Sequence, residues 1–207
     1  MSDQKLDTEI RREQIAEAVL SFVAEHGVNR LSMARVARRV GLVPSGIYRH
    51  FKNKDEMILA ALDRIEARLQ ANLRAAAEAF PDPVEQLRDL LMRHVRVIRE
   101  GRAVPRIVFS DDAHAGHPAR KQRVQKILGA YLGRIAELVR QGQEQGRIRA
   151  DVDPATVALL WIGIVVPAGI LWHVTEGGID VTKHAERAWE MFHRAIAAER
   201  RSASENK

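Results

Sequence analysis

The longest uncharged stretch of the sequence limits what the chain can fold into. Residues 154–175 contain no Asp, Glu, Lys or Arg over 22 positions, which is long enough to cross a bilayer. The flanking Asp153 and Glu176 are acidic rather than basic, and Pro167 interrupts the stretch, so the pattern disfavours a membrane span. A helix that is apolar on all sides must be buried on all sides. In a chain of 207 residues, we expect a second subunit to cover one of its faces.

A second apolar pattern lies near the C-terminus and completes the expected dimer interface. The segment that ends near residue 196 carries apolar residues at steps of three and four, which is the spacing of one helix face. Two such helices from each subunit can pack around a two-fold axis. The interface candidates are Trp161, Ile164, Val165, Ala168, Trp172, Trp189, Phe192 and Ile196.

Helical periodicity dominates the whole chain, and strand-like alternation is hard to find. Hydrophobic residues make up 46% and charged residues 29% of the chain, a composition typical of globular proteins. Short basic segments precede Asn53, and long apolar segments follow it. The sequence therefore predicts an all-α fold with a boundary near residue 53.

Several classes of chemistry find no support in the sequence. The chain has no cysteine, which excludes disulfides, thiolate metal ligands and thiol catalysis and fits a reducing cytoplasm. Residues 111–117 include two aspartates and two histidines, but Gly116 makes a regular helix improbable there, so we expect a polar loop without metal. Glycine-rich phosphate loops and the H-E-x-x-H and G-x-S-x-G motifs are absent. We expect no enzymatic activity and no cofactor.

A basic segment near the N-terminus has the pattern of a helix-turn-helix. Residues 27–54 contain seven Lys or Arg and no Asp or Glu, so this surface can approach phosphates without repulsion by carboxylates. Ser32 is placed to cap a short helix, which Gly41 can end in a left-handed conformation. The small Ala37 allows two helices to cross closely, and Pro44 permits a new helix to begin. The pattern predicts a second helix that enters the major groove of DNA.

Residues 41–56 closely resemble the N-terminal DNA-binding domain of TetR-family repressors, within a match that covers roughly residues 10–60. The shared features are the turn glycine, the Ile-Tyr-x-x-Phe core of the recognition helix and the Lys-Asp-Glu that opens the next helix. Val43 stands where the family often has a capping serine. We therefore expect the start of the recognition helix to rely on Pro44 and Ser45.

The resemblance implies a domain organisation and a function. Residues 1–53 would form a helix-turn-helix DNA-binding domain, residues 54–200 a helical effector-binding and dimerisation domain, and residues 201–207 a frayed tail. The implied function is that of a sequence-specific transcriptional regulator, a repressor that a small hydrophobic ligand releases from a palindromic operator. The DNA-binding candidates are Ser32, Arg35, Pro44, Ser45, Gly46, Tyr48, Arg49, His50 and Lys54.

The effector site is marked less clearly than the DNA site. Apolar residues on the inner helix faces after residue 54 are expected to line a pocket for an apolar ligand. The candidates are Leu62, Leu91, His94, Phe109, Tyr131 and Trp161. Such residues also form ordinary cores, and a hydrogen-bonded buried histidine is the simpler interpretation of His94. Two alternatives stay open: an architectural DNA-binding dimer without an inducer, and a ligand-binding or catalytic helical bundle.

Overall fold

A computed structural model of the chain describes residues 2–100, 103–109 and 115–199. These residues form eight α-helices and one short 3₁₀ helix, Gly46–Arg49. The α-helices are α1 (Ser2–His26), α2 (Met33–Arg39), α3 (Lys54–Ala79), α4 (Pro83–Glu100), α5 (Ala103–Val108), α6 (Pro118–Glu144), α7 (Pro154–Val174) and α8 (Val181–Ile196). The predicted all-α fold is confirmed. Most of the predicted polar loop at 111–117, including both aspartates, and the predicted tail at 201–207 lie outside the described residues.

The chain divides into two compact units. Unit 1 contains the described residues of 1–71 and 97–129, and unit 2 contains those of 72–96 and 130–199. Helices α3, α4 and α6 contribute residues to both units. The border at 71/72 differs from the predicted boundary at residue 53, because the first part of α3, all of α5 and the start of α6 belong to the same compact unit as α1 and α2.

The core of unit 1 forms around one face of α1. Ile15 and Val23 on this face are fully buried and belong to the same apolar cluster as Ile58 and Leu62 of α3. Ile107 of α5 is buried in the same cluster. Helix α1 begins at Ser2, and no glycine or proline interrupts it before His26.

Side-chain caps fix where the helices of unit 2 begin. Asp82 Oδ1 accepts a hydrogen bond from the backbone N–H of Val84 at 2.8 Å, at the start of α4. Asp153 Oδ2 accepts one from Thr156 at 2.8 Å, at the start of α7. Among the described helices, α7 alone has the length and apolar composition of a membrane span. A buried core helix meets the same criterion, and the buried side of α7 is described below.

Candidate nucleic-acid interface and effector-binding residues

The turn after α2 has the geometry that a helix-turn-helix requires. Gly41 has a φ of +71°, in the left-handed region that residues with side chains rarely adopt. The backbone N–H of Leu42 donates to the carbonyl oxygen of Ala37 at 2.8 Å and closes the end of α2. Val36 and Ala37 are fully buried, so the small residue lies at the helix crossing as predicted.

The recognition segment, residues 44–50, is less helical than expected. Pro44 and Ser45 form a turn, and only Gly46–Arg49 is helical, with 3₁₀ geometry. Ser45 makes no side-chain capping bond. Val43 has no hydrogen-bonding group in its side chain and is 68% exposed. The helix thus begins two residues after Pro44, because no side chain satisfies the first backbone N–H groups of a longer one.

The side chains of the recognition segment are divided between core and solvent. Ile47 and Phe51 are buried, as the sequence predicts, and anchor the segment in unit 1. Tyr48 is 58% exposed, and Arg49 is exposed as well. Residues 44–45 are also exposed. The solvent side of the segment therefore presents hydroxyl and guanidinium groups and no carboxylate.

Arg12 of α1 holds the end of the recognition segment, a role that the sequence analysis missed. Its guanidinium donates to the carbonyl oxygen of His50 and lies 4.2 Å from the centre of the Phe51 ring. The signal that could have identified it is its spacing. Arg12 lies three residues before the buried Ile15, at the edge of the buried face of α1.

His50 lies among positive charges at the end of the recognition segment. Burial lowers its pKa, and the charges of Arg11, Arg12 and Arg49 lower it further. Its Nδ1 is shielded from solvent and has no hydrogen-bond partner within the part of the chain that the structure describes. Both effects favour the uncharged form of the imidazole in the free protein.

The start of α3 is stabilised by a reciprocal cap. The backbone N–H of Glu56 donates to Asn53 Oδ1 at 2.9 Å. Glu56 Oε2 in turn accepts from the backbone N–H of Lys52 at 2.8 Å. In the usual capping box, Glu56 would accept from the backbone N–H of the cap residue Asn53; here it accepts from the residue before it. Helix α3 begins where the sequence predicts.

Lys54 is tied to the loop that follows α1. Its Nζ donates to the carbonyl oxygen of Val28 at 3.0 Å, and its side chain is half-buried. Burial and the charge of Arg120 lower its pKa, and Asp55 partly opposes them. An ammonium has three donors, so Lys54 retains hydrogen-bonding capacity for a phosphate while it joins two elements of unit 1.

The two candidates at the start of α2 contribute to its local structure. Ser32 Oγ accepts from the backbone N–H of Arg35 at 3.3 Å. The guanidinium of Arg35 donates to the carbonyl oxygen of Arg30 at 3.1 Å, yet the residue stays exposed. Arg39 forms an ion pair with Glu25 of α1, so its charge is compensated. Of these basic residues, Arg35 leaves its charge available at the surface.

An ion pair that the sequence analysis missed joins α6 to the first turn of α3. Arg120, only 2% exposed, pairs with Asp55, and His117 Nδ1 lies 3.4 Å from the second carboxylate oxygen. Burial raises the pKa of Asp55, but the hydrogen bond and charge of Arg120, with those of His117, lower it overall. Arg123 pairs with Asp63 further along α3 at 2.6 Å. These contacts fix the N-terminal part of α3 within unit 1.

The effector candidates do not all belong to one compact unit. Leu62 is fully buried in unit 1, where Phe109 is 45% exposed. The other four belong to unit 2: Leu91, His94, Tyr131 and Trp161. All of these except His94 are almost fully buried.

Three rings form a hydrogen-bonded cluster in unit 2. His94 Nδ1 lies 3.1 Å from the Tyr131 hydroxyl, and its ring packs edge-on to Trp161 with centroids 5.9 Å apart. Trp161 Nε1 donates to the carbonyl oxygen of Leu87 at 3.0 Å. Burial lowers the pKa of His94 to about 4 and raises that of Tyr131. The cluster thus supplies an apolar, uncharged surface with a neutral imidazole.

Helix α7 has a buried side and an exposed apolar side. Five of the predicted interface residues are buried within unit 2: Trp161, Val165, Ala168, Trp189 and Ile196. They recur at steps of three, four and seven, so they face their own bundle. Three other candidates keep partial exposure: Ile164, Trp172 and Phe192. The large apolar residues left exposed are Leu159, Leu160, Ile170, Leu171 and Val174 on α7, and Met191 on α8.

The fold and the acid-free recognition segment define a helix-turn-helix DNA-binding regulator. Residues 15–61 match the family described as bacterial regulatory proteins, tetR family. Residues 81–196 match the tetracyclin repressor-like C-terminal domain. The chain belongs to the TetR family of transcriptional regulators.

Relatives support the same assignment over most of the chain. The HTH-type transcriptional regulator TtgR of Pseudomonas putida is 30% identical over 75% of this chain and 77% of its own length. The FadR regulator of Bacillus subtilis in complex with stearoyl-CoA has the same fold, with a TM-score of 0.74, 18% identity and coverage of 88% and 98%. The SmeT–triclosan complex has a TM-score of 0.76, 24% identity and coverage of 91% and 92%.

The buried His94 predicts how stability depends on pH. Its pKa is about 4 in the folded chain and about 6.5 when unfolded, so between these values the unfolded state binds a proton that the native state does not. Stability should therefore fall as the pH drops from about 6.5 to 4. This contribution amounts to about 2 kcal/mol between pH 7 and pH 5. Urea unfolding at both pH values should show a smaller drop for His94→Leu than for wild type.

The exposed His26 provides the control for this measurement. His26→Gln should leave the difference between pH 7 and pH 5 close to the wild-type value. An equal drop for wild type and His94→Leu would contradict the assignment of a neutral, buried imidazole to His94.

Proposed function

We propose that the chain is a dimeric repressor that reads a palindromic operator through its recognition segment and leaves it when a small apolar ligand binds. The observation that carries the proposal is the solvent side of that segment. Ser45, Tyr48 and Arg49 are exposed on a rigid helix-turn-helix, and no carboxylate lies between residues 27 and 54. Such a surface favours a polyanion and offers hydrogen-bonding groups to base edges.

The candidate residues divide between base reading and phosphate binding. Ser45 and Arg49 are the polar side chains of the segment that can reach base edges, with arginine suited to guanine. Gly46 has no side chain, which leaves room for Pro44 and Ser45 to approach the duplex closely. The exposed hydroxyl of Tyr48 suits a phosphate. Further phosphate contacts are assigned to Ser32, Arg35, His50 and Lys54.

The exposed apolar side of α7 is the face that we assign to the dimer. Leu160 and Leu171 are 59% and 48% exposed, and both lie on a helix without charged residues. Burying such a side chain contributes about 1.5–3 kcal/mol. A second copy of α7 and α8 supplies a matching apolar surface around a two-fold axis. The two recognition segments then address half-sites about one helical turn apart, or a multiple of it.

The ring cluster of unit 2 is the part of the effector site for which we find the most support. Leu91, Tyr131 and Trp161 are almost fully buried beside His94, so a ligand that uses this imidazole and hydroxyl has to enter between these side chains. Triclosan and stearoyl-CoA, bound by the structural relatives, both contain large apolar groups. Leu62 and Phe109, which belong to unit 1, stay predictions. We assign the chain no catalytic role. We propose that it acts in the cytoplasm, where operator DNA is found.

The DNA proposal is tested on a duplex selected from a random pool by the wild-type protein. Lys54→Ala should weaken binding to this duplex and to its single-base variants by the same factor. It should also reduce the slope of log K against log salt by about 0.9, the value for one phosphate. Arg49→Ala should instead change which bases are preferred at one position of each half-site. Sequence-independent losses from both variants would contradict the placement of the recognition segment.

The interface is tested by introducing a charge on the exposed side of α7. Leu171→Glu should convert the dimer to monomer in sedimentation equilibrium at micromolar concentration, because a carboxylate would be buried without a partner. Ala130→Glu, at an exposed position of α6, is the matched control and should stay dimeric. A Leu171→Glu protein that sediments as a dimer would place the interface elsewhere.

The effector proposal is tested with triclosan and stearoyl-CoA as probes. At least one of them should release the selected duplex, and saturating duplex should weaken its binding by the same factor, as thermodynamic linkage requires. Tyr131→Phe removes the hydroxyl that faces His94, so it should change the affinity for the probe while the ligand-free protein binds DNA normally. Release by a probe whose affinity is unaltered in Tyr131→Phe and His94→Leu would place the effector outside the ring cluster.

A further inference from the structure

A surface groove lies between the first turns of α1 and the end of the recognition segment. Its volume is about 410 Å³, and all of its lining residues belong to unit 1. Positions 7, 11 and 14 lie on one face of α1, because an α-helix repeats about every 3.6 residues. The groove is lined by Asp7, Thr8, Ile10, Arg11, Gln14 and His50.

The arginines around this groove have different tasks. Arg12 donates to the carbonyl oxygen of His50 and lies over the ring of Phe51, so it stabilises the end of the recognition segment. Arg11 and Arg49 have no carboxylate partner among the residues that the structure describes, and both are close enough to act electrostatically on His50. Asp7 is the single carboxylate that lines the groove. Among the residues that the structure describes, the charges of Arg11, Arg12 and Arg49 act at this end of the groove, and Asp7 opposes them.

We propose that this groove binds one phosphate of the operator backbone through the guanidinium of Arg11. The inference rests on the proposed operator binding and extends the DNA surface to α1, which had no assigned contact. Arginine suits a phosphate because its planar fork can donate two parallel hydrogen bonds to it. A backbone phosphodiester is the occupant because the groove borders His50, the last residue of the segment that faces the duplex.

Two neighbours complete the site. Gln14 lies three residues after Arg11 on the same helix face, and its amide can donate to the same phosphate. Nδ1 of His50 has no hydrogen-bond partner among the described residues, and rotation of the ring would let it bond to that phosphate. Phosphate contacts of this kind fix the orientation of a protein on the duplex without reading sequence.

The test uses the full-length protein and the selected duplex. Arg11→Ala should reduce the salt slope by about 0.9 and weaken binding roughly five- to tenfold at 0.1 M salt, with base preference unchanged. Arg11→Lys should restore most of the slope. Asp7→Asn removes the opposing charge and should tighten binding about twofold. Arg74→Ala, which changes an exposed arginine in the unit 2 part of α3, should change nothing.

Three results would overturn the inference. An unchanged salt slope for Arg11→Ala, in a protein that still binds the selected duplex, would remove the phosphate contact and leave the proposed function intact. A changed base preference with an unchanged slope would make Arg11 a positioning residue instead. Weaker binding of Asp7→Asn would show that the groove does not face an anion. Failure of the wild-type protein to bind any duplex would instead count against the proposed function.

Discussion

The apolar surface of α7 is the constraint on which the arrangement of unit 2 depends. The helix carries no charged side chain over its length, so water is a poor environment for every face of it. Trp161 anchors one side, with its ring fully buried and its Nε1 bonded to the carbonyl oxygen of Leu87 on α4. On the other side, Leu160 and Leu171 are exposed in the part of the chain that the structure describes. A second copy that covers these side chains would remove this apolar surface from water.

The recognition segment depends on a different kind of constraint, because it is short and has no cap. A single 3₁₀ turn has little stability of its own, so tertiary contacts must hold it. Ile47 and Phe51 are buried in the core of unit 1 and anchor the segment there. Arg12 fixes its end by donating to the carbonyl oxygen of His50. This arrangement leaves Ser45 and Arg49 on a surface whose position is set by the core of unit 1.

The sequence predicts the elements of this chain better than the direction in which their side chains face. The cap at Ser32 and the turn at Gly41 were predictable because their signals are local. The buried side of α7 was not predictable, since a helix that is apolar all round has no periodicity to show which side faces its own bundle. The role of Arg120 was missed because its partner Asp55 is 65 residues away, and sequence spacing carries no signal for such a pair.

A link between ligand and DNA has to pass through helices that belong to both units, and α3 and α6 are the two that meet near the DNA. Helix α3 carries Lys54 at its first residue, and Asp55 beside it is held by the buried Arg120 of α6. Arg120 is buried whereas Asp55 is half-exposed, and their charge-assisted hydrogen bond ties the start of α6 to the first turn of α3. We propose that a displacement of α6 at Arg120 is passed through this bond to α3, and that the phosphate contact proposed for Lys54 shifts with it. A ligand needs a preference of only about 1–3 kcal/mol between two positions of α6 to regulate operator affinity in this way.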